Sequence, residues 1–242
     1  MHIKRLREQQ EQHRLEQERE QHRLEQERLD RESWRRLPGS EHIIKANVTG
    51  VIQIGASDGG EAPSFSSLIG SNMVWIEAQP LVAKKLRQNV TQYGQKAIQA
   101  LIWEKSGETK TFNITNNSLS SSILEPYLHI DHFGDAVKVR DRIELVTTSY
   151  TDLAKKYPYL LDKKYNFIVL DCQGAEYEVL LGIGKEHIQQ FDLVEVEVSN
   201  SEEYKGQKQQ PTIDKLLADW GFGPPSSTGA FHGIAWYHKL KT

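Results

Sequence analysis

The chain reads as an α/β protein: a mostly parallel sheet covered on both faces by helices. Three observations carry that reading. Short, almost wholly apolar runs recur (Val51–Ile54, Met73–Ile76, Tyr165–Leu170), and such runs mark strands buried on both sides. Segments of helical patterning separate them, as in a sheet built from crossover units. The runs stop at a glycine or an acid, namely Gly55, Glu77, Asp171 and Glu195/Glu197.

The first element stands apart from the rest. Hydrophobic residues make up 38% of the 242, below the roughly 45–50% usual for globular chains. Residues 1–37 account for the dilution, with ten Lys/Arg, nine Asp/Glu and six Gln. The nonapeptide EQHRLEQER fills 11–19 and repeats at 20–28. Its residues favour helix, and Glu27–Arg31 and Glu32–Arg36 add favourable four-residue pairs. Leu6, Leu15 and Leu24 are nine apart, so successive leucines face opposite sides of a helix and form no heptad seam. The expectation is two parts: residues 1–38 as a charged helical spacer, with partner contact as its second reading, and residues 39–242 as one domain. Leu37-Pro38-Gly39 marks the join.

In the body, Val51–Ile54 predicts a strand ending in the cluster Gly55-Ala56-Ser57-Asp58-Gly59-Gly60, followed by a helix over Pro63–Ile69. Met73–Ile76 predicts the second strand, ending at Glu77, and Leu81–Tyr93 the second helix. Ala97–Ile102 reads as a third strand. Thr109–Ile114 and Arg142–Val146 read as strands bracketing a Ser/Asn-rich loop. Tyr165–Leu170 predicts a strand ending at Asp171, with a helix over Ala175–Leu181. A strand over Phe191–Val198, a helix over Ile213–Trp220 and a final strand over Phe231–His238 follow.

Charge and composition exclude several functions. Beyond residue 37 the chain holds 20 Lys/Arg against 24 Asp/Glu, without the basic surplus of a nucleic-acid binder. No apolar run reaches the ~18 residues of a membrane span. The N-terminus MHIKRLREQQEQ lacks the apolar stretch of a secretory signal. The single cysteine, Cys172, suits a reducing compartment, so the expected location is cytoplasmic.

In a parallel sheet, ligands bind beyond the carboxyl ends of the strands, where this chain gathers a glycine loop and several carboxylates. Glycines let backbone approach a ligand closely. Glu77, 17 residues beyond Gly60 at the tip of the next strand, holds the position from which an acid pairs with ribose hydroxyls. Together these point to an adenosine-containing cofactor. A nicotinamide enzyme should show G-x-G-x-x-G, but residue 57 is serine. The spacing suits S-adenosylmethionine better. A cofactor-binding module without catalysis, recruiting partners through its helix, remains the alternative.

The stretches VIQIGASDGG, WIEAQP, AIQALIWEKSGETKTF with SLSSSILEP, FIVLDCQGAEYEVLLGIG, and FDLVEVEVSNSEEYKG with IDKLLADWGF resemble the FkbM-type methyltransferases, in order, across about 48–238. The resemblance implies a class I S-adenosylmethionine-dependent fold, Rossmann-like, with a seven-stranded sheet. It also implies methyl transfer to hydroxyls of sugars, glycans or related natural products. The chain departs from the family's common pattern at Gln53, at Gln173 within Asp171-Cys172-Gln173-Gly174 (family Asp-x-Glu-Gly), and at Ile234.

By position and resemblance, Gly55, Ala56, Ser57, Asp58 and Gly59 wrap the cofactor's methionine end and Glu77 accepts its ribose hydroxyls. Asp171 contacts cofactor or substrate, takes the substrate's proton, holds a metal, or merely caps. Glu195 and Glu197 alternate with valines and project to one face, where unpaired carboxylates are costly. Asp171 and Glu197 are the first candidates for the base a hydroxyl acceptor needs, and His232 the second. His129 and His132 rank lower, and Glu176 reads equally as a cap. Ser118–Ser122 reads either as a loop over the cofactor or as a plain connection. A divalent metal remains open.

Overall fold

The structure is a computed structural model that describes residues 39–227 and 232–241, with positions 21, 35 and 37. The charged helical extension expected over 1–38 falls outside the described residues, apart from those three positions. The body begins with a short helix α1 (Ser40–Lys45) that the sequence pattern did not announce.

Strands β1 (Val51–Ile54) and β2 (Met73–Glu77) form as expected, separated by α2 (Ala62–Ile69). Helix α3 (Pro80–Thr91) starts on a proline, whose missing N–H is no loss in a first turn. The single strand expected over Ala97–Ile102 is two. β3 (Lys96–Gln99) pairs with β2, whereas β4 (Leu101–Ile102) leaves for another sheet. The break lies at Ala100, whose N–H donates to the Glu77 carbonyl while Trp103 N–H donates to Thr148 O.

Strands β5 (Thr109–Thr115) and β6 (Val139–Thr148) pair antiparallel, and with β4 they make a separate three-stranded sheet. Between them lie a 3₁₀ turn (Ser118–Ser120) and helix α4 (Leu128–Phe133). Helix α5 (Tyr150–Lys156) is capped by Ser149, whose hydroxyl accepts from Asp152 N–H. Strand β7 (Phe167–Leu170) leads into α6 (Glu176–Ile188), which breaks at Gly184 (φ 76°, ψ 159°), so its first part is the helix expected over Ala175–Leu181. β8 (Leu193–Ser199), α7 (Gln210–Asp219), β9 (Ser226–Ser227) and β10 (His232–His238) complete the described chain.

The main sheet has seven strands in the order β3-β2-β1-β7-β8-β10-β9. The first five run parallel, and β10 is antiparallel to both neighbours. Period-two alternation sorts the side chains into two cores. Ile52, Ile54, Val74, Ile76, Ile168, Leu170, Val194 and Val196 face one layer, with Leu153 of α5, Val179 of α6 and Leu217 of α7. Val51, Met73, Trp75, Phe167 and Leu193 face the other, with Phe65 of α2 and Leu86 and Val90 of α3. The fold is therefore the α/β, mostly parallel, doubly covered sheet that the sequence predicts. Its strand order reverses between β1 and β7, which opens a crevice at their carboxyl ends.

Candidate functional site

The crevice is a cavity of about 410 Å³, lined along one side by Gly55, Ser57, Glu77 and Ala78 and along the other by Asp171, Cys172, Gln173, Glu197 and His232. The β5–β6 insertion roofs it through Phe112, Ser118–Ser121 and Phe133. Each strand delivers its terminal residue to the same edge because the strands are parallel and in register, Ile54 opposite both Ile76 and Leu170.

At the β1 end the loop turns back sharply. Gly55 has φ 82°, and a Cβ there would stand 1.7 Å from the Asp171 carbonyl oxygen. Only glycine lets the β1 and β7 ends come this close. The next turn puts Ser57 at φ 46°, directing its N–H to Glu77 Oε2 at 2.9 Å, while Gln79 N–H donates to Oε1 at 2.7 Å. Burial nevertheless lifts the Glu77 carboxyl to about 7, the two amides only partly holding it down.

Of the loop residues expected to wrap a cofactor, Gly55 and Ser57 line the cavity and three do not. Ala56 is buried in the core beside α2 and α3. Asp58 pairs with Lys85 of α3 at 2.6 Å. A Cβ on Gly59 would meet Leu86 and Val90 at 2.7 and 3.0 Å, so this glycine serves helix packing.

At the β7 end, Gln173 donates through Nε2 to Asp171 Oδ1 and to Glu197 Oε2, both at 2.7 Å. Burial, then the neighbouring Glu197, raises the Asp171 carboxyl well above the usual range. His232 Nε2 stands 3.3 Å from Glu197 Oε1. That contact raises the imidazole above its ordinary value, against the pull of partial burial.

Glu176 does cap the turn: its Oε1 accepts from Cys172 N–H at 2.8 Å and Gly174 N–H at 3.1 Å. Cys172 points its Sγ at Ile54 O, and burial pushes its thiol up, away from nucleophilic character.

Glu195 and Glu197 share a face, but only Glu197 reaches the cavity. Glu195 lies deeper, accepting from the Trp236 indole at 2.9 Å. His129 is buried at the cavity wall, its Nε2 3.4 Å from Ser120 Oγ, and His132 bonds Glu203 at 2.9 Å. Among the described residues, no group of three or more His, Cys, Asp or Glu is placed to hold a metal ion. No helix among them is long and apolar enough to cross a membrane.

Tyr204 gains an importance that its sequence position did not announce, and Ser122 of the Ser118–Ser122 loop gains a specific partner. Tyr204, in the segment between β8 and α7, donates to Gln173 Oε1 at 2.8 Å. Ser122 Oγ donates to the Gln173 carbonyl at 2.8 Å. Both are remote from Gln173 in the chain, so the pattern offered no sign that either would meet it.

A glycine-turned loop after β1, an acid at the end of β2 and a carboxylate cluster at the ends of β7 and β8 thus meet at the switch point of a doubly covered parallel sheet. Residues 53–224 match the methyltransferase FkbM domain, and the chain belongs to that family. The seven-stranded sheet expected from the resemblance is present.

Among solved structures, it resembles fibrillarin of Aeropyrum pernix in complex with natively bound S-adenosyl-L-methionine (14% identity, TM-score 0.41, 78% of this chain and 66% of that one). It likewise resembles a SAM-dependent methyltransferase of Aquifex aeolicus (13% identity, TM-score 0.44, 88% of this chain and 93% of that one). A third is magnesium protoporphyrin IX methyltransferase of Synechocystis PCC 6803 with bound SAM (14% identity, TM-score 0.40, 82% and 74%). The chain spans slightly less than two thirds of the fibrillarin. No curated protein matches it. Family membership rests on the domain match.

Proposed function

We propose that this protein is an S-adenosylmethionine-dependent O-methyltransferase acting on a hydroxyl of a sugar, glycan or related natural product. The observation that carries the reading is the polarity of one cavity, with a buried acid at the β2 end and a carboxylate–imidazole cluster at the β7–β8–β10 end.

The residues present fit the cofactor. Glu77, tied to the loop by two amides, keeps further lone pairs for ribose hydroxyls. Ala78, Val82, Leu101 and Ile102 offer an apolar wall for a flat base. Gly55 and Ser57 bring backbone to the cavity, and the carboxyl groups of Asp171 and Glu197 line the wall that a cation would face. When bound, S-adenosylmethionine supplies an electrophilic methyl group on a positively charged sulfur.

The chain's own work is alignment, which can supply roughly 7–11 kcal/mol, and removal of the hydroxyl proton, worth about 10²–10⁴-fold. Asp171 is engaged by the Gln173 amide at 2.7 Å, and burial with Glu197 beside it raises its carboxyl well above the usual range. The Glu197–His232 pair suits the task better. His232 accepts the proton, and the Glu197 carboxylate at 3.3 Å stabilises the imidazolium. Asp171 then orients Glu197. A divalent metal has no assigned ligands here, and no step depends on one.

Calorimetry with S-adenosylmethionine, S-adenosylhomocysteine and NAD, followed by methyl transfer to a glycan panel, tests the reading. S-adenosylhomocysteine should bind and NAD should not. Tight NAD binding with no response to S-adenosylhomocysteine would sink it.

A further inference from the structure

We propose that Gln173 is a positioning residue: its carboxamide, aimed by the Tyr204 hydroxyl, holds the Asp171 and Glu197 carboxylates in one fixed arrangement facing the cavity. Two carboxylates side by side in a buried site repel, and they stay together only if a donor or a shared proton joins them. The Gln173 amide has two N–H groups, and each is spent on one carboxylate at 2.7 Å. Its oxygen accepts from Tyr204 at 2.8 Å. That third bond selects the orientation of the amide, because a flipped amide would present its oxygen to two acceptor groups.

The backbone supports the same assignment. Gln173 sits at φ 53°, in the left-handed region that a side chain with a Cβ rarely adopts and glycine adopts freely. The side chain at this strained position makes three hydrogen bonds, to Asp171, Glu197 and Tyr204. The turn is clamped from both sides. Ser122 Oγ bonds the Gln173 carbonyl at 2.8 Å. The Tyr204 ring lies against Gly174, where a Cβ would meet its Cδ2 at 2.9 Å. Tyr204 is buried and shares its hydroxyl with the Ser120 carbonyl at 3.1 Å. The roof loop, the β7 turn and the segment after β8 thus meet at one amide. A glutamate at 173 would carry a third negative charge into the same cluster, and the amide avoids this.

The charged and titratable groups facing the pair are Glu176 and Cys172 of the β7–α6 turn, His232 of β10, His129 of α4, and Tyr204 with Glu203 beyond β8. Glu176 is occupied by two backbone amides, and His232 Nε2 stands 3.3 Å from Glu197. Gln173 is the neutral donor common to both carboxylates. The inference rests on the methyltransferase reading for its consequence in turnover, but the contacts it explains stand without cofactor or acceptor.

The test uses the full chain with no ligand. Side-chain carboxyl carbons are followed by NMR through a pH titration and assigned with Asp171→Asn and Glu197→Gln. Gln173→Met keeps length and volume and removes both N–H donors. It should raise the titration of Asp171 by about one pH unit. Tyr204→Phe, which frees the amide, should shift it the same way by less. The double variant should match Gln173→Met alone, because Tyr204 acts through Gln173. Should Gln173→Met fail to fold, the Tyr204→Phe shift by itself decides.

A titration unmoved in either folded variant, or a double variant whose shifts simply add, overturns the proposal. S-adenosylhomocysteine calorimetry on the same samples keeps the two questions apart. Normal binding with an unmoved titration defeats the positioning role alone, whereas a shifted titration in a protein that never binds S-adenosylhomocysteine upholds the geometry and defeats the cofactor reading.

Discussion

Glu195→Gln isolates the effect of burying one carboxyl in the sheet. Glu195 lies within β8 beneath Trp236, and burial, the largest influence, lifts its carboxyl from 4.5 to about 8. The indole N–H pulls the other way and is outweighed. An unfolded chain returns the group to its ordinary value, so the native state binds this proton more tightly. The stability it contributes is complete below about pH 4.5 and is lost as pH rises through about 8. Integrating between those values, the loss is about 1 kcal/mol at pH 5, about 3 kcal/mol at pH 7 and about 5 kcal/mol at pH 9.

Glutamine keeps the shape, leaves an oxygen for Trp236 and cannot ionise. Glu77 and Glu176, raised to about 7 and about 8, titrate over the same window but are present in both proteins and cancel. Urea unfolding at about pH 5, 7 and 9 is the assay. The variant's stability relative to the parent should climb by about 2–4 kcal/mol across that range. Any constant offset belongs to the new amide; only the growth with pH reports the carboxyl. Parallel curves would refute the reasoning.

Other substitutions probe the cavity itself. Gly55→Ala places a Cβ 1.7 Å from the Asp171 carbonyl at a positive φ, and urea unfolding should show a loss above about 3 kcal/mol. A loss under about 1 kcal/mol would mean that the β1 and β7 ends separate easily. Glu77→Ala removes the acceptor for two backbone amides as well as the proposed ribose partner. S-adenosylhomocysteine affinity by calorimetry should fall about tenfold or more, and unchanged affinity would displace the ribose from β2. Asp171→Asn should leave that affinity within about twofold while lowering methyl transfer to a responsive glycan by about 10²-fold; equal loss of both would make Asp171 a cofactor ligand instead.

The strand ends were legible because each closes a buried apolar run, and a parallel register must then align them. Glu77, Asp171 and Glu197 could be placed on one edge from the pattern alone. The loop GASDGG was harder to read, since its glycines answer different demands. Gly55 admits the Asp171 carbonyl, whereas Gly59 admits α3. Spacing cannot separate a glycine needed by a ligand from one needed by a helix.

The Ala97–Ile102 run looked like one strand because a chain crossing between sheets stays apolar on both sides of the crossing. Only the bond from Ala100 to Glu77 and that from Trp103 to Thr148 divide it. Glu195 and Glu197 are equivalent in alternation and opposite in fate, one under Trp236 and one in the cavity. Their depth from the sheet edge decides this, and alternation carries no depth.

The order of apolar runs, their acidic or glycine ends and the FkbM motifs were enough to specify an α/β methyltransferase domain, for these are local patterns repeated along the chain. Which carboxylate keeps its proton, which glycine faces the cavity, and how Gln173 comes to stand between Asp171 and Glu197 under Tyr204 were settled by folding alone. Those properties depend on burial and on contacts between residues distant in the chain, such as Gln173 with Tyr204 and Ser122 with Gln173. Neither leaves a periodic trace in the chain that folds to create them.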